Sequence, residues 1–278
     1  MNERSAQYEF RRIEPTDAYL ERCAQMLMEV FPHGTYSAES LRWQYRDNPA
    51  GTVVGHDAIA PDGTIAGHYV LQPLAARVDG AVERGLLSFN TATHPAHQGK
   101  GLFTALAERS YTAAASSGYG FVVGVANANS TPGFTRRLGF TLVCALQALV
   151  GLRLRTGESG SAQFERTWDD ASAAWRAARP NARYRSVGDA LYAATPTTGI
   201  RALLAHGPLF ARRAAAELGL RPIDLWIGLE PGRQPAGIRV PDRFRPSPLN
   251  LIWLDLTTKA RRLDPGAVRF RAADFDPY

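Results

Sequence analysis

LLSFNTATHPAHQGKGLFTALAERSYTAAASSGYGFVVGVA, residues 86–126, decides how the rest of this chain is read. An apolar run from Leu86 to Thr93 ends in the turn His94 to His97, and a glycine loop, Gln98 to Gly101, opens a helical pattern from Leu102 to about Ser117. Phe103, Leu106, Ala107, Ser110, Tyr111 and Ala114 fall on one side of that helix at three-and-four spacing, which docks it on a sheet. Gly118 ends it, and Gly120 to Ala126 reads as a second strand. Strand, glycine turn, helix and strand make a βαβ unit, in which successive amides at the helix start face an incoming anion. The loop is expected to hold a phosphate.

Downstream, NANSTPGFTRRLGF (Asn127 to Phe140) closes the unit. The whole stretch resembles the cofactor core of the GNAT acetyltransferase superfamily. Members carry Gln or Arg, two free positions, Gly, one free position and Gly or Ala between the fourth strand and the third helix. Gln98 and Gly101 match, Phe103 stands where Gly or Ala is usual, and RRLGF (Arg136 to Phe140) is similar to the end of the family's fourth helix. The resemblance covers roughly residues 9 to 150. It implies an α/β (α+β) fold with a mixed, mostly antiparallel sheet flanked by helices. It also implies acetyl-CoA or another acyl-CoA as donor, a primary amine as acceptor, and no metal.

The implied cofactor residues can be set against the chemistry. A pyrophosphate needs several backbone donors and a positive local potential, which Gly99, Lys100, Gly101, Leu102 and Phe103 supply at a helix start, with Gln98 adding a side-chain donor. The thioester oxygen gains negative charge during attack and needs an amide aimed at it. In the family that donor lies on the splayed fourth strand, here Asn90, Thr91, Ala92 and Thr93. Asn127 and Asn129 fall near the asparagine that the family uses for the cofactor arm, although either could instead be a turn or helix cap.

An ammonium must lose a proton before it attacks, so a base within direct or one-water reach is expected. His68, on the strand before the core, is the first choice because neutral imidazole is available near neutral pH. Glu83, Glu29 and His94 are the alternatives. Many family members have a tyrosine that protonates the departing thiolate; the equivalent positions here are Phe134 or Thr135. Thr135, Tyr111 or water is left for that role.

The chain has 278 residues, 45% hydrophobic and 21% charged, an ordinary globular composition with room for one large domain or two. No run of 18 apolar residues exists and MNERSAQYEF has no signal-peptide pattern, so a cytoplasmic protein with no membrane partner is expected. The formal charge of +6 and pI near 9.6 leave nucleic acid open as a partner. Without a dense basic stripe, a solvated surface is favoured and no nucleic acid is expected. Of 32 basic residues, only Lys100 and Lys259 are lysines. Cys23 and Cys144 form no metal-ligand or CxxC spacing and read as buried thiols.

In chain order, Glu9 to Ile13 reads as a strand, and Pro15, Thr16 and Asp17 start a helix with a core stripe at Leu20, Cys23 or Ala24, Leu27, Met28 and Phe31. Ser37 caps a second helix that Pro49 stops. By the resemblance, Tyr36, Trp43 and Tyr45 are candidates for the wall of the acceptor groove, with aromatic packing in the core the equal alternative. Antiparallel hairpins with Asp-Gly turns follow. TLVCALQALVGL (Thr141 to Leu152) reads as one apolar strand and RTGESGSAQ (155–163) as a linker. The domains are thus expected at 1–154, the GNAT catalytic domain with the acyl-CoA site, and 164–278. The latter reads as a degenerate second GNAT-like half without a phosphate loop, or as an α+β extension. It contains a hairpin around Thr197 to Gly199, a helix Pro208 to Gly219, and strands DLWIGL and LNLIWLDL.

The reading that follows is N-acyl transfer from acetyl-CoA to a primary amine of a small molecule, such as an amino sugar or natural-product amine. A protein N-acetyltransferase, a non-catalytic acyl-CoA-binding or regulatory protein, and an RNA-associated protein are the other readings.

Overall fold

A computed structural model describes residues 7–156, 160–232, 234–275 and 277; the centre of the expected linker lies outside these. The first half contains β1 (Glu9–Arg12), α1 (Asp17–Val30), α2 (Ala38–Tyr45), β2 (Val54–Ile59), β3 (Ile65–Val78), β4 (Ala81–Thr93), α3 (Leu102–Ser116), β5 (Phe121–Ala126), α4 (Thr131–Arg137), β6 (Thr141–Ala145) and β7 (Gln147–Gly151). The second contains β8 (Phe164–Arg166), α5 (Asp170–Ala177), β9 (Tyr184–Val187), β10 (Ala190–Ala194), β11 (Ile200–His206), β12 (Ile223–Leu229), β13 (Ile238–Arg239), β14 (Asn250–Asp255), β15 (Val268–Arg271) and α6 (Ala272–Phe275). Among the described residues no helix is long and apolar enough to cross a membrane.

The helix starts follow local chemistry. Thr16 accepts from the Tyr19 amide at the start of α1, and Ser37 and Ser40 cap α2 reciprocally. α1 and α2 lay Leu20, Leu27 and Leu41, all fully buried, against one face of the sheet, and α3 lays Leu106, Ala107 and Ala114 against the other. Each buried leucine contributes roughly 1.5–3 kcal/mol of apolar transfer.

β1 to β4 form the antiparallel part, and β4 runs parallel to β5 across the α3 crossover. The second half repeats this order: β9, β10 and β11 are antiparallel, and β11 is parallel to β12. The helical crossover of the first half has no counterpart between β11 and β12. The segment expected as the helix Pro208 to Gly219 is instead a 3-10 turn, Pro208–Phe210, followed by extended chain. Arg212 turns left-handed (φ 57), and the backbone then pairs with the free edge of β9: Ser186 N donates to Ala214 O at 2.8 Å and Ala216 N to Tyr184 O at 2.9 Å. An unpaired strand edge outcompeted a stretch with good helix propensity.

Thr141 to Leu152 is not one strand but two, because its parts have different partners. β6 pairs with β14, whereas β7 leaves the first half and pairs with β12 and β13. Reciprocally, β14 leaves the second half and lies between β5 and β6. Each half therefore keeps the first strand of its closing pair and lends the second. β8 and β15 join the two parts into one continuous sheet between β3 and β12. Where they meet, Phe121 stacks on Trp253 with centroids 4.7 Å apart and Phe164 stands edge-on to both.

A second tie joins the halves through α2 and α5. The Trp43 and Trp175 rings stack at 4.5 Å, and each indole N–H donates to the other residue's backbone carbonyl, at 2.8 and 2.9 Å.

Candidate active site

β4 and β5 are paired only from Gly85/Phe121 to Ser88/Gly124 and part beyond that point. Two features hold them apart. β4 carries a bulge, with Val70 opposite Phe89 and His68 opposite Ala92, so that Asn90 and Thr91 together face Tyr69. Asn90 takes the left-handed conformation (φ 45) there, which asparagine tolerates better than most residues. The backbone groups of β4 beyond Ser88 lose their β5 partners and face a cleft.

That first cleft, about 660 Å³, is lined by Ser88 to Thr93, Gln98, Phe103, Val125, Asn127, Asn129, Ser130, Gly133 and Phe134, with Phe31 and Tyr36 at its mouth. Of the expected cofactor residues, Asn90, Thr91, Ala92, Thr93, Gln98, Phe103, Asn127 and Asn129 come together here. Gly99, Lys100, Gly101 and Leu102 lie outside this wall. Leu102 is buried beneath the loop, so only its backbone can serve a ligand, and the Lys100 ammonium lies 5.6 Å from the Tyr8 ring centroid.

The helix start nevertheless fits an anion. α1, α2 and α5 are each capped by a side chain, but α3 has Gly101 (φ 76) at its cap and no side-chain acceptor for its first amides. A Cβ on Gly101 would meet nothing within 4 Å, so the loop presents bare backbone to open space. Phe103 does not obstruct this surface. Its ring turns onto Phe134 (5.3 Å) and Tyr69 (5.9 Å), into room left by Gly133, whose own Cβ would stand 3.2 Å from it.

Asn127 Oδ1 accepts from Ser130 N at 2.9 Å and Ser130 Oγ at 3.0 Å, so its side chain turns the chain into α4 while bordering the cleft. Phe134 occupies the cleft wall where a tyrosine was looked for. Thr135 bonds back to Thr131 O, and the Tyr111 hydroxyl is bound to Tyr69, which bonds Ser88 Oγ at 3.2 Å. Burial pushes Tyr69 up to about 12 and Tyr111 higher still.

The two residues expected as base lie elsewhere. His68 is fully buried and does not line this cleft. Its Nδ1 is 2.7 Å from Asp57 Oδ1 and its Nε2 is 2.9 Å from the Tyr45 hydroxyl, with Tyr19 and Cys23 completing the cage. Burial alone would lower its pKa, but Cys23 and Asp57 outweigh that and hold it at about 10. Closed off in the core, the ring has no contact with an amine bound in a cleft. Glu83 sits near the opposite end of β4, bound to Arg261 Nη1 at 2.7 Å, and does not line the cleft either. His94 and Glu29 bond each other at 3.1 Å beside a separate hollow.

A second cleft, about 740 Å³, shares Tyr36 and Asn90 with the first and holds Tyr36 and Trp43 of the expected acceptor wall; the residues of its opposite wall were not named by sequence reasoning. The α1–α2 loop and α2 supply His33 to Tyr36, Ser40, Trp43 and Gln44; the second half supplies Arg179 to Tyr184, Ala193, Ala194 and Pro196. Among the described residues its walls carry no carboxylate side chain, whereas Arg179 and Arg183 are cationic. Burial raises the Tyr36 hydroxyl while Arg179 pulls it down, so the arginine's field reaches the junction. No group of three or more His, Cys, Asp or Glu placed to hold a metal occurs among the described residues.

Residues 9–143 match the acetyltransferase (GNAT) domain family. Three solved structures are similar in fold over both halves. A probable N-acyltransferase of unknown function from Enterococcus faecalis V583 has TM-score 0.57 and 10% identity, covering 89% of this chain and 73% of that one. A GCN5-related N-acetyltransferase from Kribbella flavida has TM-score 0.57 and 11% identity (90% and 71%). One from Anabaena variabilis has TM-score 0.54 and 10% identity (91% and 75%). No curated protein gives a significant sequence match. Residues 9–143, which include the strands that part to open the first cleft, therefore form an acetyltransferase domain of the GNAT superfamily.

Proposed function

We propose that the protein transfers an acetyl or short acyl group from acyl-CoA in the first cleft to a primary amine of a small molecule in the second. The observation that carries this reading is the junction: two clefts of ligand size meet at Asn90 and Tyr36, beside the parted end of β4. The bare amides at the start of α3, with Gln98, fit a pyrophosphate. Amides at residues 91–93 fit the charge that gathers on the thioester oxygen. The amine nitrogen bonds the acyl carbon, the C–S bond breaks, and the proton lost by nitrogen balances the thiolate released as CoA thiol.

With His68 in the core, the proton has to leave by another route. The positive second cleft favours the neutral form of a bound amine, since a nearby cation disfavours a second positive charge. His33 is the imidazole on that wall and is our candidate base. An acceptor with a neutral or acidic body suits Arg179 and Arg183 better than a polycation does.

The test is thiol release from acetyl-CoA across a panel of primary amines, with His33→Gln expected to lower kcat/KM about tenfold or more at unchanged acetyl-CoA affinity. CoA binding without thiol release for every amine would favour the non-catalytic reading, to which Phe134 at the tyrosine position lends support. Gly101→Val forces a β-branched residue to φ 76, and acetyl-CoA affinity is expected to fall at least tenfold, about 1.4 kcal/mol. Unchanged calorimetric affinity in a folded variant would remove the loop from the site. Titration should give one CoA site per chain, since the β11-to-β12 crossover has no helix start to offer; two equivalent sites would contradict this.

A further inference from the structure

The Asn90 side chain is held in one orientation by a chain of hydrogen bonds that runs through the core. Its Nδ2 donates to Gln44 Oε1 at 3.0 Å and to the Tyr45 hydroxyl at 3.2 Å, which uses both of its N–H bonds. The Tyr45 hydroxyl is also hydrogen-bonded to His68 Nε2 at 2.9 Å, and His68 Nδ1 bonds Asp57 Oδ1 at 2.7 Å. Held by Asp57 at Nδ1, the buried ring keeps Nε2 against the Tyr45 hydroxyl and so fixes the oxygen that Asn90 reaches. Reversing the carboxamide would set Asn90 Oδ1 against Gln44 Oε1, acceptor against acceptor. Oδ1 is left with no protein partner among the described residues, on a residue that borders both clefts.

We propose that Asn90 Oδ1 receives an N–H of the incoming amine at the junction of the two clefts, and that Asp57, His68 and Tyr45 are positioning residues that fix this carboxamide. The inference rests on the acyl-transfer reading above. It moves the Asn90 side chain from the cofactor to the acceptor, while its backbone stays with the parted strand. A neutral primary amine that gives one N–H to Oδ1 keeps its lone pair free, and the left-handed backbone at the bulge holds the acceptor at the edge of the space where the acyl group would lie. His68, too deep to touch substrate, thereby acts on it through two intervening side chains.

The test uses the full chain, acetyl-CoA and n-butylamine as the probe acceptor. Asn90→Gly suits the positive φ and removes only the side chain. It is expected to raise the KM for n-butylamine tenfold or more while leaving the acetyl-CoA Kd within twofold. Tyr45→Phe, which keeps Asn90 but frees its amide to turn, should shift the same KM several-fold with the same indifference to acetyl-CoA. Unchanged amine KM in both variants, or an acetyl-CoA Kd that rises as far as the amine KM, overturns the proposal. A second measurement needs no turnover: in ¹⁵N-labelled, CoA-bound wild type, n-butylamine should move the side-chain amide resonance that Asn90→Gly deletes. If that resonance moves while no amine releases thiol, the transfer reading falls and the Asn90 assignment stands. If it does not move, the assignment falls whatever the turnover.

Discussion

A chain ended at Leu154 is not expected to fold, although it contains every residue of the family match. Without β14, β5 and β6 have no strand between them, and the edges that pair with Asn250 to Asp255 on both sides lie open. The loss includes Trp253, 1% exposed, whose ring covers Phe121 and Phe164. In the full chain, Trp253→Ala alone is expected to cost about 3–5 kcal/mol, as a large aromatic removed from a packed site. Circular dichroism and thermal melting decide the matter: residues 1–154 should show no cooperative transition. A sharp melt near that of the full chain would mean that the lent strand is dispensable.

The second large effect belongs to the buried pair. Asp57→Ala leaves the His68 charge without its carboxylate in a site that is 0% exposed, and about 3–5 kcal/mol of stability should be lost. The pair also makes stability depend on pH. The pKa of His68 is raised in the fold, from the ordinary 6.5 to about 10, so the folded state binds the proton more tightly than the unfolded chain does. That contribution is fully present below about pH 6.5 and disappears as pH rises towards 10. The stability of the wild type should fall across this window by an amount on the order of a few kcal/mol, read as a falling melting temperature, and the fall should be much shallower in Asp57→Asn. A flat wild-type profile from pH 6.5 to 10 would show that His68 is neutral in the fold.

How much of this was legible depended on how local the determining contacts are. Gln98 to Gly101 lies between a strand and a helix that meet within one turn of chain, so loop, crossover and most of the first cleft's lining could be read from sequence. His68 could not, because strand alternation says which residues share a face but not which helices will cover that face. α1 and α2 cover it, and bring Cys23, Tyr19 and Tyr45 around the ring. Trp43 and Tyr36 were placed at the groove, but the opposite wall comes from residues 179–196, which no local pattern connects to the α1–α2 loop. The split of Thr141 to Leu152 was invisible for the same reason. Its apolar pattern is continuous, and only partners drawn from the far end of the chain divide it after Ala145. The failed helix at Pro208 to Gly219 shows the converse, a propensity overridden by an edge that needed covering.

The exchange of closing strands also sets an order of events during synthesis. Ala126 has left the ribosome long before its partner Asn250 is made, and at ordinary elongation rates of about 5–20 residues per second the delay is several seconds or longer. Throughout that interval the nascent first half carries two exposed, apolar strand edges that match each other's requirements and those of any neighbouring chain. Translation speed and chaperone occupancy, rather than the final stability of the fold, are therefore the quantities that should govern its yield in a cell.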